Sequence, residues 1–361
     1  MKNNFYKEIN LQNLAFNANF FKQQLKNSKL YSVVKANAYG HGLKQCVLTL
    51  NQISDGFCVV NNSEAIKVKK YTKKPVVVIG ALLPTKLFNA IKNDVEFCVQ
   101  SLFDVKMLEK YTKKLKKVCN IHIKIDTGMH RLGIHTHREL KRIVNFVNKS
   151  PYLAIAGICT HMGGNDSNNL HRTKSQFIKF NNLIDRCGLN NIPTHIANTE
   201  TFLSNNIYGL NFARIGIGMY GYGHNELKPV MSVYAKILNI SHIKKDEIIG
   251  YGCKNIAKKD LKIAVLNIGY AQGLMRDYYK KGYVLINGKR AKIVANICMD
   301  MTIVDISNIK NVKIGNYAVI LGKSKNKQIT ALDIAQKCKT IEYEVLTNFN
   351  LINCTKYINQ T

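Results

Sequence analysis

From about residue 30 to 220, short apolar runs rich in β-branched residues alternate with amphipathic stretches of helical period. The runs are LYSVV (30–34), DGFCVV (55–60), PVVVIG (75–80), VEFCVQ (95–100), VCNIHIKI (118–125), LAIAGICT (153–160), PTHIA (193–197) and FARIGI (212–217). Helical patterns lie between them, such as LFDVKMLEKYTKKL after the fourth run and HRTKSQFIKFNNLIDRCG after the sixth. Strands alternating with helices imply βα units on a parallel sheet. Eight such units predict an α/β fold, a (β/α)8 TIM-type barrel over residues 10–230, with a doubly wound sheet as the alternative. After about Met231 the texture changes. SVYAKILNISHI, LKIAVLNIG, YVLINGKRAKIV and NYAVILG are strand-like, Asn287-Gly288 between alternating runs marks a hairpin, and ALDIAQKC (331–338) reads as one short helix. A mostly β C-terminal domain is therefore expected over 231–361, with residues 1–9 as a candidate extra strand.

Composition changes this picture little. The 361 residues suffice for two cores, and 46% hydrophobic with 21% charged residues is ordinary for a globular chain. The net charge of +31 raises the alternative of a nucleic-acid-binding module. The lysines, however, are dispersed in short groups such as Lys69-Lys70, Lys73-Lys74 and Lys116-Lys117, where helices face water. The chain is also rich in Asn and Ile and lacks Trp, which fits coding bias better than a nucleic-acid groove, so no nucleic-acid partner is expected. The N-terminal stretch is amphipathic and no window of about 18 apolar residues occurs, so neither a secretory signal nor a membrane span is expected. Ten cysteines without a CxxC pair then read as reduced thiols in a cytoplasmic protein, with no metal site.

In a barrel the chemistry gathers just past the strands. Polar and glycine residues recur there. Lys35-Ala36-Asn37-Ala38-Tyr39-Gly40-His41-Gly42 follows the first run and Asp126-Thr127-Gly128-Met129-His130-Arg131 the fifth. His161 follows the sixth, Asn198-Thr199 the seventh, and Arg214-Ile215-Gly216-Ile217 lies in the eighth. Singly, each has an ordinary explanation as a solvated strand end, a satisfied polar group or a turn. Their recurrence in five units is what points to a site.

The segments SVVKANAYGHG, DGFCVVNNSEA, KIDTGMHRLG, THMGGND, HIANTE, RIGIGMYG, GYGCKN, NIGYAQGLMR and ANICMD together resemble the alanine racemase family along nearly the whole chain. The resemblance implies a pyridoxal 5'-phosphate enzyme, an isomerase that interconverts L-alanine and D-alanine and supplies D-alanine for peptidoglycan. Lys35 is then the residue that forms the Schiff base with the cofactor and one of two acid/bases. Tyr251 is the other, contributed by the second domain of a partner subunit in a homodimer with shared sites. Tyr39 and Thr199 are implied to bind the phosphate, with backbone N–H groups of Thr199, Gly216 and Ile217. Arg214 faces the pyridine nitrogen, and His161 and Asn198 lie beside the cofactor. Arg131 and the backbone of Met299 hold the substrate carboxylate. Departures from the family pattern fall at Gln272, usually Asp, at Asn296, usually Arg, at Leu351-Ile352-Asn353, and after the histidine of THMGGND.

Two positions carry further expectations. His122, Lys124 and Asp126 share one strand parity and Ile121, Ile123 and Ile125 the other, so Lys124 points into the barrel. A lone ammonium there is costly. The resemblance implies a carbamylated Lys124; a neutral lysine or one paired with Asp126 is the alternative. Arg214 cannot take up a proton role, which suits racemisation. A pyridoxal-phosphate decarboxylase of the same plan is expected to place an acidic residue there. A racemase of serine or of broad range, and a non-catalytic cofactor-binding protein, are the other readings.

Overall fold

The computed structural model describes residues 4–163, 170–204, 211–252 and 255–359. The chain divides into two compact units, one of residues 14–38 and 43–228 and one of 1–13, 39–42 and 229–361.

Strand β1 (Phe5–Asn10) belongs to the second of these. The first unit carries eight strands: β2 (Lys29–Val33), β3 (Gly56–Val59), β4 (Val76–Val78), β5 (Glu96–Val99), β6 (Cys119–Lys124), β7 (Leu153–Cys159), β8 (Thr194–His195) and β9 (Phe212–Ile215). All pair in parallel, in the order β8-β7-β6-β5-β4-β3-β2-β9. Backbone bonds from Asn211 N to Thr194 O (3.2 Å) and from Arg214 N to Ala197 O (3.0 Å) join the two ends. The sheet is thus the barrel that the eight apolar runs predict, not a doubly wound sheet. The helix Leu102–Leu115 coincides with its predicted stretch, and the one predicted over 171–188 runs Leu170–Asp185. The helix His137–Lys149 shows how sequence sets these elements. Thr136 and Glu139 close a reciprocal capping box at its start, while Leu140, Ile143 and Val147 recur at helical spacing and are buried.

The second unit is mostly β. Beside β1 it holds β10 (Met231–Ile243), β11 (Leu261–Leu266), β12 (Tyr283–Ile286), β13 (Lys289–Lys292), β14 (Thr302–Asp305), β15 (Tyr317–Ser324), β16 (Lys327–Ile329) and β17 (Thr355–Ile358). The main order is β13-β12-β15-β10-β1-β17; β11 pairs with β10 and β14, and β16 with β15. Asn287 and Gly288, both at positive φ, turn β12 into β13. The helix ALDIAQKC is present at 331–338. A second helix, Glu342–Asn348, and strands β14, β16 and β17 carry no counterpart in the sequence reading. Residues 39–42 group with this unit for a local reason. Lys7 is buried and its Nζ donates to Gly40 O at 2.7 Å. Gly42 has φ +101, and a Cβ on it would overlap the Tyr357 hydroxyl.

Candidate active site

In the barrel, Lys35, Lys124, Arg131, Thr160, His161 and Arg214 line one cavity of about 300 Å³. Lys35 stands just past β2, Lys124 ends β6, Thr160 and His161 follow β7, and Arg214 lies in β9. The cavity thus opens at the carboxyl ends of the strands, as the side-chain recurrence predicts.

The backbone that presents Lys35 is unusual. Ala36, Asn37, Ala38 and Tyr39 all have φ between 53 and 55°, a left-handed turn built without glycine. Such a conformation costs about 1–2 kcal/mol per residue, so it must be held. Glu64 holds it on the barrel side, accepting from Ala36 N at 2.8 Å and from Val60 N at 2.9 Å. Ala38 N donates to Val34 O, and Asn37 Oδ1 accepts from Leu43 N at 2.7 Å. Glu64 is absent from the sequence reading, although the spacing Asn61-x-x-Glu64 at a helix start was a visible signal: Asn61 caps that helix by accepting from Glu64 N.

Four basic side chains share the cavity and no carboxylate lines it. Burial, then the charge of Arg131, depresses the Lys35 amine below the usual lysine range, with Glu64 opposing. Burial, then Arg214, Arg131, Lys124 and Lys35, pushes His161 down to about 3, so this imidazole is neutral. The cavity is therefore electropositive and suited to an anionic ligand, with the Lys35 amine in its lining.

Arg131 is delivered by a loop that Asp126 organises. Asp126 Oδ1 accepts from the backbone of Gly128, Met129 and His130 at 2.9–3.1 Å, and Oδ2 from Arg131 N at 2.8 Å. Burial alone would raise this carboxyl; the four N–H groups override it and bring it to about 2. Both oxygens thus accept backbone N–H groups, and no ion pair between Asp126 and Lys124 occurs among the described residues. Lys124 is 8% exposed, and its Nζ lies 3.4 Å from Ile79 O. It makes no ion pair among the described residues.

Arg214 is 6% exposed and its guanidinium is fixed on four sides. Nη1 donates to His195 Nδ1 (2.6 Å) and His195 O (2.5 Å), and Nη2 to Thr160 O (2.8 Å) and Ile196 O (3.4 Å). Asn198 caps the short helix Thr199–Leu203 by accepting from Thr201 N, while its Nδ2 donates to Met162 O at 3.4 Å. Buried Thr199 meets the loop after β9: its Oγ1 accepts from Gly216 N at 3.1 Å and from Gly218 N at 3.3 Å. Thr199, Gly216 and Ile217 thus come together as expected, with one of the implied phosphate donors engaged to the threonine hydroxyl.

The remaining residues lie in the second unit. Tyr39 is buried there, its ring centroid 6.0 Å from that of Tyr343, a residue the sequence reading did not single out. Tyr251 is 73% exposed on a turn flanked by Gly250 and Gly252, both at positive φ, and its carbonyl accepts from Asn296 Nδ2 at 3.2 Å. Met299 is 56% exposed, its carbonyl bonded by Ala271 N. Gln272 accepts from Gly269 N at 2.8 Å and donates to Asp300 Oδ1 at 2.9 Å. An aspartate at 272, the residue that the resemblance implies there, would face Asp300 as a like charge. Cys253 and Lys254 of GYGCKN, and the end of THMGGND with its departure, fall outside the described residues.

Comparison with known proteins agrees over both units. Residues 9–224 match the family model for the alanine racemase N-terminal domain and 230–355 that for the alanine racemase C-terminal domain. The chain is 34% identical over 351 residues to alanine racemase 2 of Caldanaerobacter subterraneus subsp. tengcongensis, covering 94% of this chain and 90% of that one. It is 34% identical to the alanine racemase of Clostridium novyi over 355 residues, covering 94% and 91%. Among solved structures, the alanine racemase from E. faecalis superposes with a TM-score of 0.92 at 27% identity, covering 98% of each chain. That of Clostridium difficile 630 does so with a TM-score of 0.91 at 29% identity, covering 100% of this chain and 97% of that one.

Proposed function

We propose that this chain, which belongs to the alanine racemase family, interconverts L- and D-alanine with pyridoxal 5'-phosphate. The observation that carries the reading is the barrel cavity: four basic groups, no lining carboxylate, and among them a lysine amine depressed by burial. The residues present fit that cofactor. An aldehyde needs an amine, and burial and the charge of Arg131 favour the neutral form of Lys35. A phosphate dianion suits small residues whose backbone N–H groups gather at Thr199, Gly216 and Ile217, with Tyr39 as a further donor. Arg214, a pure donor, suits an unprotonated ring nitrogen, with His161 and Asn198 at the flanks. When bound, the cofactor withdraws electrons from the substrate's Cα and makes its proton removable.

The protein's part is then to bind, orient and move one proton. Arg131, held by its Asp126 turn, and the Met299 backbone take the substrate carboxylate. Lys35 removes or returns the proton on one face of Cα and the Tyr251 phenol on the other. Tyr251 and Met299 stand exposed on their unit, which favours a homodimer in which a second copy of the chain contributes them. Lys124, buried beside Arg131 without a carboxylate partner, is read as carbamylated, which would give that guanidinium an anion. A cytoplasmic location and supply of D-alanine for peptidoglycan complete the reading, with no nucleic-acid or membrane partner. Among the described residues no helix is long and apolar enough to cross a membrane.

A visible spectrum of the purified protein and a D/L assay over a panel of amino acids test cofactor and substrate together. Lys35→Ala is expected to lose the bound chromophore and to lower racemisation by about a thousandfold or more. A Lys35→Ala protein with normal activity would end the reading. An undivided preference for serine would move the substrate while keeping the class.

A further inference from the structure

Behind Arg214, the strands below the cavity hold a row of polar groups, His195, His122 and Glu96, that the proposed reaction does not use. Arg214 Nη1 donates to His195 Nδ1 at 2.6 Å. His195 Nε2 and His122 Nδ1 lie 3.0 Å apart, and His122 Nε2 and Glu96 Oε2 lie 2.9 Å apart. Both histidines are 1% exposed. Arg214 borders the cavity, whereas Glu96 is the first residue of β5, at the opposite, amino-terminal end of the strands. The row therefore runs from the site through the inside of the barrel to its far end.

Its direction follows from donor chemistry alone. A guanidinium has no lone pair to offer. His195 Nδ1 must therefore accept, and the proton of the neutral ring sits on Nε2. At 3.0 Å that N–H is placed to donate to His122 Nδ1, with the Cys159 thiol as the other side-chain neighbour of the ring, so the proton of His122 also sits on Nε2 and is given to the Glu96 carboxylate. Every donor points away from Arg214. The reverse order is barred, because it would place an N–H of His195 against an N–H of Arg214. The surroundings agree. Burial, with Arg214 and His122 adding to it against the pull of Cys159, brings His195 down to about 4. Burial works against ionisation of Glu96, but its bonds from His122 and Asn120 and the charge of Lys69 outweigh it and hold the carboxyl below its usual range. A buried cation and a partly buried anion, each costly alone, are thereby linked through two polarised rings.

We propose that Glu96, acting through His122 and His195, is the remote positioning group of Arg214: its carboxylate accepts the last N–H of the row, holds both rings in place and so steadies the guanidinium at the cavity. The kinetic consequence rests on the racemase reading above; the proton positions do not. The row predicts that the active site is sensitive to a residue at the far end of the barrel.

Two measurements test this on the protein as purified. Long-range proton–nitrogen spectra of histidine-labelled protein report which ring nitrogen carries the proton. His122 and His195, assigned by His122→Gln and His195→Gln, are expected as Nε2–H forms. An Nδ1–H form of either ring overturns the proposal. In Glu96→Leu, the resonances of both rings are expected to move. The turnover number for alanine should fall about tenfold with KM changed less than about twofold. Glu96→Gln, whose carbonyl still accepts from His122, is expected to retain activity within about threefold and to keep both Nε2–H forms. Wild-type turnover and unmoved resonances in Glu96→Leu overturn the proposal. If that variant fails to fold, Glu96→Gln decides, because an unshifted His122 N–H there means that the carboxylate exerts no hold. A wild-type protein that racemises no amino acid defeats the functional reading and leaves the proton positions to be judged from their own spectrum.

Discussion

The barrel and the β unit present their functional candidates in opposite ways. In the barrel, Arg214 has four acceptors, Asp126 gathers four N–H groups, and Lys35 sits in a cavity between other cations. In the β unit, Tyr251 and Met299 stand in solvent, more than half exposed. A group that binds must be pre-organised, and the barrel does this with buried polar networks that also hold its fold together. A group that must reach a substrate on another surface can be left on a turn, where its removal leaves the fold untouched. Activity and stability should therefore be coupled at the barrel residues and uncoupled at Tyr251.

The largest effect that sharpens this contrast is expected at Tyr251. Tyr251→Phe should lower racemisation by about a hundredfold or more, while its melting temperature stays within about 1 °C of wild type, because an exposed ring adds little burial. Mixing inactive Tyr251→Phe with inactive Lys35→Ala, followed by subunit exchange, should restore part of the activity through mixed dimers. Full activity of Tyr251→Phe would mean that the barrel completes its site without the β unit, and the contrast would be lost.

Asp126 is expected to show the coupled behaviour. In Asp126→Asn, an amide nitrogen meets Arg131 N–H or one of the other three donors. We expect KM for alanine to rise about tenfold as the Arg131 loop loosens, with a loss of about 1–3 kcal/mol in stability. The pH dependence has a definite sign. The folded carboxyl lies near 2, below its unfolded value of about 3.9. Its ionised form thus stabilises the fold above about pH 4, and that contribution is lost as pH falls toward 2, by about 1 kcal/mol after allowance for solvent screening. Acid unfolding curves of wild type and Asp126→Asn should converge over that interval. Parallel curves would show that the carboxylate is not what holds the loop.

The same two regions differ in how legible they are in the sequence. Barrel strands are buried on both faces, so they appear as near-continuous apolar runs, and all eight runs match strands. In the β unit, β16 and β17 are short and partly exposed, and β14 is brief, so none produces a run long enough to stand out. The site follows the same logic. Residues just past strands were visible, and the parity of β6 placed His122 inside the barrel. The row from Arg214 to Glu96 was not visible, because it joins four strands whose register only the closed barrel fixes. Nor was the left-handed turn after Lys35. Ala-Asn-Ala-Tyr carries no glycine to signal positive φ, and the clasp that imposes it, Glu64, lies some 28 residues away. Local propensity loses there to a tertiary hydrogen bond.

The smallest expected effect tests whether the exposed β unit tolerates change as freely as the contrast requires. The Gln272 amide does two things: Oε1 accepts from Gly269 N, and Nε2 donates to the Asp300 carboxylate. Gln272→Glu keeps the acceptor for Gly269 but turns the donor into a second carboxylate oxygen beside Asp300. In a buried site such a pair would be costly and would share a proton. Here Asp300 is exposed and Gln272 partly so, so water and salt screen most of the repulsion. The loss should be about 0.5 kcal/mol near neutral pH, a fall of about 1–2 °C in melting temperature. It should shrink as salt is raised toward about 1 M, and again as pH falls through the carboxylate range near 4 and one of the two groups takes up a proton. Turnover should remain within about twofold. A loss of several kcal/mol that salt does not relieve would show that the Gly269–Gln272–Asp300 contact is a rigid support like the Asp126 loop, and the distinction between a pre-organised barrel and a tolerant β unit would then fail at the turn whose Ala271 N–H bonds the Met299 carbonyl.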